Sequence, residues 1–168
     1  MNINLKNIIL LISFVVLQIV WFNHILIFGK YTPIIFLYPI LMLPLHKNET
    51  IYLLLSFFLG LIIDFFLFTG GVFAFTAIFV YYFRKAFFIF TKENAVDIKN
   101  IQPSKLDFVQ KYIYFFVFIM LAELLIYTLN AFNIELVVNK IGFILANSMI
   151  SLFFFIFIDL IFFNNKEQ

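Results

Sequence analysis

Asp64 sits inside FLGLIIDFFLFTGGVFA (58–74), a run otherwise built from leucine, isoleucine, phenylalanine and glycine. Glu123, Asp159, Arg84, Gln18 and Asn147 stand in comparable apolar runs. An ionised carboxylate at the centre of a bilayer costs roughly 2.5–3.5 kcal/mol on insertion scales. Each carboxylate therefore needs a compensating partner or a proton. The chemistry open to such groups is proton or ion coupling, recognition of a partner, or hydrogen bonding that ties helices together. A catalytic carboxylate dyad is excluded for Asp64 and Asp159, which fall near opposite faces of the bilayer. The chain has no cysteine, which excludes disulfides, thiolate metal sites and cysteine nucleophiles. His24 and His46 are isolated, with no second histidine at i+3 or i+4, so neither a metal nor a cofactor is expected. The sequence carries no nucleophile elbow, HExxH or P-loop, and no catalysis is expected.

The elements that must position these residues are membrane spans. The chain of 168 residues is 65% hydrophobic and 12% charged, against about 45–50% and about 25% in soluble domains. Such a composition cannot cover a water-soluble fold. A spanning helix needs about 20 mainly apolar residues. Six candidates read off the chain as 8–28, 33–45, 51–68, 72–90, 112–132 and 140–163. They form one integral membrane domain, an all-α polytopic bundle of six helices. The first is read as a retained helix, because its apolar run exceeds a signal-peptide core and no small-x-small site follows. The second is short: 13 helical residues cover roughly 20 Å of a roughly 30 Å core. It also contains Pro39 and Pro44. It crosses with a distorted end, or dips in and returns. The turn at Gly29 to Pro33 favours crossing.

Lysine and arginine bias sets orientation. With six crossings, Lys6, Lys47, Arg84, Lys85, Lys92, Lys99, Lys105, Lys111 and Lys166 fall inside, and Lys30 and Lys140 outside. If the second segment returns, Lys6 and Lys30 exchange sides and the balance is unchanged. The long polar loop, about 91–111, and the C-terminus are thus expected in the cytoplasm. The net charge of +2 comes from loop lysines and implies no nucleic-acid partner.

This topology puts Asp64 about four residues, roughly 6 Å, from the outer end of the third helix. Gly60, at i−4, shares its face and lets another helix approach closely. Gly70 and Gly71 supply freedom for a tight outer turn. Their amides, or that of Thr69, are candidate donors to the Asp64 carboxylate, and Asn147 is its candidate partner across the bundle. Three roles stay open for Asp64: tying the outer turn into the bundle, binding a partner, or coupling a proton or ion. Asn147, Ser148 and Ser151 form a polar patch on the sixth helix. Glu123 and Gln18, both near mid-depth, are expected to clasp one another, with Glu123 carrying a proton. Arg84 and Asp159 share the cytoplasmic side and are expected to pair, or Arg84 snorkels to the headgroups.

Several stretches together resemble the rod shape-determining protein MreD family, most like members from the Bacteroidetes. LQIVWFNHILIFGKYTPIIFLYPILMLPL supplies Gln18, Asn23, Gly29, Pro33 and Pro44, and FLGLIIDFFLFTGGVFAFTAIFVYYFR supplies Gly60, Asp64, Gly70 or Gly71, Ala74 and Arg84. The resemblance covers about residues 8–90; beyond them only hydropathy and length agree. Val72 and Phe73 depart from the histidine or other polar residue that relatives often place there. The resemblance implies a non-enzymatic component of cell-wall elongation in the bacterial inner membrane. Its implied partners are MreC, a RodA-type glycosyltransferase, a class B penicillin-binding transpeptidase and the actin-like MreB, besides membrane lipids. The family is also similar in layout to the substrate-binding S components of energy-coupling factor transporters. That likeness implies an alternative role as a small-molecule-binding subunit.

Overall fold

The computed structural model describes residues 5–43, 49–91, 103 and 106–163. Pro44, His46 and most of the long loop (92–102 and 104–105) lie outside the described residues. The fold is all-α, with no strand among the described residues. Helix α1 (Leu5–Leu17) runs directly into a π turn, Gln18–Phe22. A short helix, α2 (Leu37–Met42), follows after a non-helical stretch. Next come α3 (Glu49–Leu67), α4 (Val72–Thr91), α5 (Phe108–Ala131), a six-residue α6 (Ile134–Asn139) and α7 (Ile141–Phe163).

Three helices are long and apolar enough to cross a membrane: α3, α5 and α7. With 19, 24 and 23 residues, they reach about 28, 36 and 34 Å. Their outward faces carry large apolar side chains. Met149, Phe153 and Phe157 form an exposed stripe at four-residue spacing on α7, and Phe58, Phe65 and Phe66 lie exposed on α3. The interior holds Gln18, Asp64, Arg84, Lys111, Glu123, Asn147 and Asp159, all buried. Apolar outside and polar inside is the arrangement a hydrocarbon solvent selects.

Helix α5 packs on both α4 and α7, and α3 packs on α4. The α5–α7 register is regular and antiparallel. Lys111 meets Asp159, Phe115 meets Phe155, Glu123 meets Asn147 and Tyr127 meets Phe143. Steps of four or eight residues up α5 are matched by equal steps back along α7, the i±4 ridge of each helix.

The second segment is not a 13-residue helix. It is a non-helical lead-in, 32–35, and a turn at Phe36, followed by the single short helix α2. Pro39 explains the helix start: it falls in the first turn of α2, where a missing N–H breaks no intrahelical bond. Every residue from Ile34 to Leu41 is buried, so this segment is the axis around which the other helices stand. Its contacts with α7 advance in one direction. Thr32 meets Asn147, Ile34 meets Ser151 and Tyr38 meets Asp159. The segment therefore runs along the bundle and does not turn back within 32–38. Four lead-in residues and seven of helical backbone, laid end to end, cover at most about 24 Å, which narrows the shortfall that a helix alone would leave.

Two other boundaries differ from the sequence expectation. The first helix stops at Phe22 instead of continuing to 28. The fifth begins at Phe108 instead of Tyr112, which draws Lys111 into the bundle.

Candidate functional site

The candidate site is the polar interior, assembled from side chains that close the ends and breaks of neighbouring helices. At one end, the Asp64 carboxylate accepts the N–H of Phe73 (3.0 Å) on Oδ1 and that of Ala74 (2.7 Å) on Oδ2, and the Thr69 hydroxyl also donates to Oδ1. These amides belong to the first turn of α4, where N–H groups have no intrahelical partner. The residue before α4 is Gly71, which has no side chain to cap the helix. Asp64 caps it from the preceding helix, and its negative charge complements the helix N-terminus. Gly60 makes this possible: a Cβ there would stand 2.5 Å from the Ala74 Cα, so α3 and α4 touch backbone to backbone. The left-handed Gly70 (φ 66°) and Gly71 (φ 101°) close the turn. The expected Asp64–Asn147 contact does not form; the capping amides are close by in sequence, whereas Asn147 is held on α7 by other partners. Nor do the Gly70 and Gly71 amides donate. The donors lie two or three residues further on.

The non-helical backbone at 33–36 is satisfied by side chains. Gln18 Oε1 accepts from the N–H of Ile35 (2.6 Å) and Phe36 (3.3 Å), while its amide donates to Pro33 O (3.2 Å) and Asn23 Oδ1 (2.9 Å). Ser151 Oγ accepts from Ile34 N–H at 3.0 Å, and Asn147 donates to Thr32 O at 3.0 Å. Buried irregular backbone in an apolar solvent requires such partners. Gln18 therefore clasps the second segment, not Glu123, because the buried backbone of 33–36, which makes no helical hydrogen bonds of its own, lies between helices α1 and α7 and takes up the amide.

At the other end of α2, Arg84 donates to the carbonyls of Ile40 (2.8 Å), Leu41 (3.4 Å) and Leu43 (2.6 Å), and its guanidinium lies over the Tyr81 ring at 4.2 Å. Tyr114 donates to Leu41 O at 3.0 Å. A cation at the carbonyl end of a helix complements its dipole. Arg84 is wholly buried and neither pairs with Asp159 nor snorkels. Asp159 is taken instead by Lys111, whose Nζ lies 2.6 and 2.7 Å from the two carboxylate oxygens. The hydroxyls of Tyr38 (3.1 Å) and Tyr112 (3.3 Å) complete its shell.

Glu123 accepts a short hydrogen bond from the Asn147 amide. Glu123, Gln18, Asn23, Thr32, Tyr127 and Asn130 line a cavity of about 190 Å³. Among the described residues, no group of three or more His, Asp or Glu side chains could hold a metal ion. The eight candidate residues thus separate into three places: Gly60, Asp64, Gly70 and Gly71 at the α3–α4 turn, Arg84 under α2, and Gln18, Glu123 and Asn147 around the start of the second segment. Sequence reading missed Lys111, Tyr38 and Tyr114. Lys111 was hidden by its place at the edge of a polar loop, although it precedes Glu123 on α5 by the same step by which Asp159 follows Asn147 on the paired α7. No protein-family model, curated protein or solved structure matches the chain.

Proposed function

We propose that the chain is a non-enzymatic, multi-pass scaffold of the bacterial inner membrane, acting in the cell-wall elongation complex. The reading rests on the MreD-like stretches of its first half and on one structural observation: the Gly60–Asp64 latch. A buried carboxylate there is committed wholly to fixing the turn between α3 and α4. The turn borders an open groove of about 420 Å³ lined by Thr69, Gly71, Val72, Phe75, Leu129 and Phe132. Asp64, 5% exposed, shapes this surface and does not itself reach a partner. On this reading the second segment crosses the bilayer, the groove faces outward, and the long loop and C-terminus are cytoplasmic. MreC is the partner for the groove, with the RodA-type synthase, its transpeptidase and MreB joined through the complex.

The test is purification of a tagged chain from native membranes in mild detergent, with the co-purifying proteins identified by mass spectrometry. Recovery of MreC and the RodA-type synthase, reduced by Asp64→Asn at unchanged expression, is the expected result. Recovery of a transport ATPase pair would replace the scaffold with the alternative, a small-molecule-binding subunit. The interior cavity at Glu123 favours that alternative only for a very small ligand, since about 190 Å³ lies under the roughly 300 Å³ of ordinary ligand pockets.

A further inference from the structure

Three buried acids can be compared by what neutralises them. Asp159 holds Lys111 at 2.6 Å. Asp64 holds the N-terminus of α4. Glu123, 1% exposed, is met by the neutral amide of Asn147, and no described lysine or arginine pairs with it. An uncompensated charge at such a position is costly in a membrane interior.

The cavity at Glu123 is mixed in lining and graded in exposure: Ile34, Phe73 and Ile126 wall it beside the polar groups, and the Asn23 amide N–H₂ is buried without an acceptor among the described residues. Asn130 is exposed, Asn23, Thr32 and Tyr127 are half-buried, and Gln18 and Glu123 are buried. The cavity thus leads from an exposed mouth to the carboxylate. Asn147 turns its N–H₂ toward both Glu123 and Thr32 O, which leaves Asn147 Oδ1 buried beside them without a hydrogen-bond donor among the described residues. An amide N–H suits an ionised acceptor; Asn147 itself does not line the cavity. Lys140 is the lysine nearest the Tyr127 ring among the described cation–ring contacts and does not line the cavity. It is exposed, stands 6.0 Å from the Tyr127 ring and does not reach Glu123.

We propose that this cavity binds a monovalent cation, with Glu123 supplying the single countercharge and the Thr32 and Tyr127 hydroxyls, the Asn130 amide oxygen and retained waters completing the shell. One carboxylate among neutral oxygens balances one positive charge. Divalent cations recruit more carboxylates. The volume leaves room for several waters at about 30 Å³ each, so the ion keeps part of its hydration. The proposal does not depend on the scaffold reading: it concerns the interior of the bundle, whatever partners the groove takes.

The test is thermal unfolding of the purified full chain in detergent. Sodium or potassium chloride is compared with N-methylglucamine chloride at equal ionic strength. The expected result is a midpoint that rises by roughly 3–5 °C for each tenfold increase in the bound cation above its dissociation constant. Glu123→Gln should abolish that rise, and Thr32→Val and Asn130→Ala should weaken it. Radioactive sodium uptake by equilibrium dialysis gives a second readout if Glu123→Gln unfolds. A wild-type midpoint equal in all three salts overturns the proposal. So does a cation response retained by Glu123→Gln, or a midpoint that follows pH alone, which would assign Glu123 a proton.

Discussion

The two ends of the α5–α7 pair solve the same problem differently. At the Lys111 end, a buried carboxylate meets a buried ammonium, and two tyrosine hydroxyls fill the remaining positions. At the Glu123 end, a buried carboxylate meets one amide and opens onto a cavity. The first arrangement is closed and self-sufficient. On the cation proposal, a bound ion completes the second.

The comparison breaks most easily at its closed end. Lys111→Met leaves Asp159 buried without its cation and should cost about 3–5 kcal/mol, seen as a lower unfolding midpoint in detergent. The double variant Lys111→Met/Asp159→Leu should recover most of the loss, because no orphan charge remains. A smaller loss is expected from Gln18→Ala, which strands the N–H groups of Ile35 and Phe36: about 2–3 kcal/mol by the same measurement. Smallest of all is Glu123→Gln, which keeps shape and a carbonyl acceptor for Asn147 and should change stability by no more than the net worth of one hydrogen bond, about 1 kcal/mol, in N-methylglucamine chloride. If Glu123→Gln proved as damaging as Lys111→Met there, the two ends would be alike and the contrast would fail.

Hydropathy alone was enough to mark the apolar runs, because lipid exposure demands apolar residues whatever the packing. The latch was half-legible. Gly60 at i−4 from Asp64, with two glycines beyond, announced a close helix approach and a tight turn, but not which amides the carboxylate would meet. The pairings of Gln18, Glu123, Arg84 and Asp159 were not legible. Each depends on the second segment lying at the bundle axis with its backbone partly unwound. Depth in the membrane, which sequence does give, leaves several polar groups at the same level. Choosing among them needs the neighbour relations of helices, and those follow from packing. Pro39 and the shortness of 33–45 signalled an irregular element. The structure adds that the irregularity attracts the polar residues that otherwise look misplaced.

The central position of the second segment also has a consequence in time. Ile34 waits for Ser151, which is 117 residues later in the chain. At a synthesis rate of about 5–20 residues per second, that interval is roughly 6–23 s. During it the 33–36 backbone has Gln18 but neither Ser151 nor Asn147, so the axis of the bundle is among the first parts made and the last completed. A ribosome that stalls before Asn147 leaves a chain with most of its apolar helices and no finished core, a natural substrate for membrane quality control.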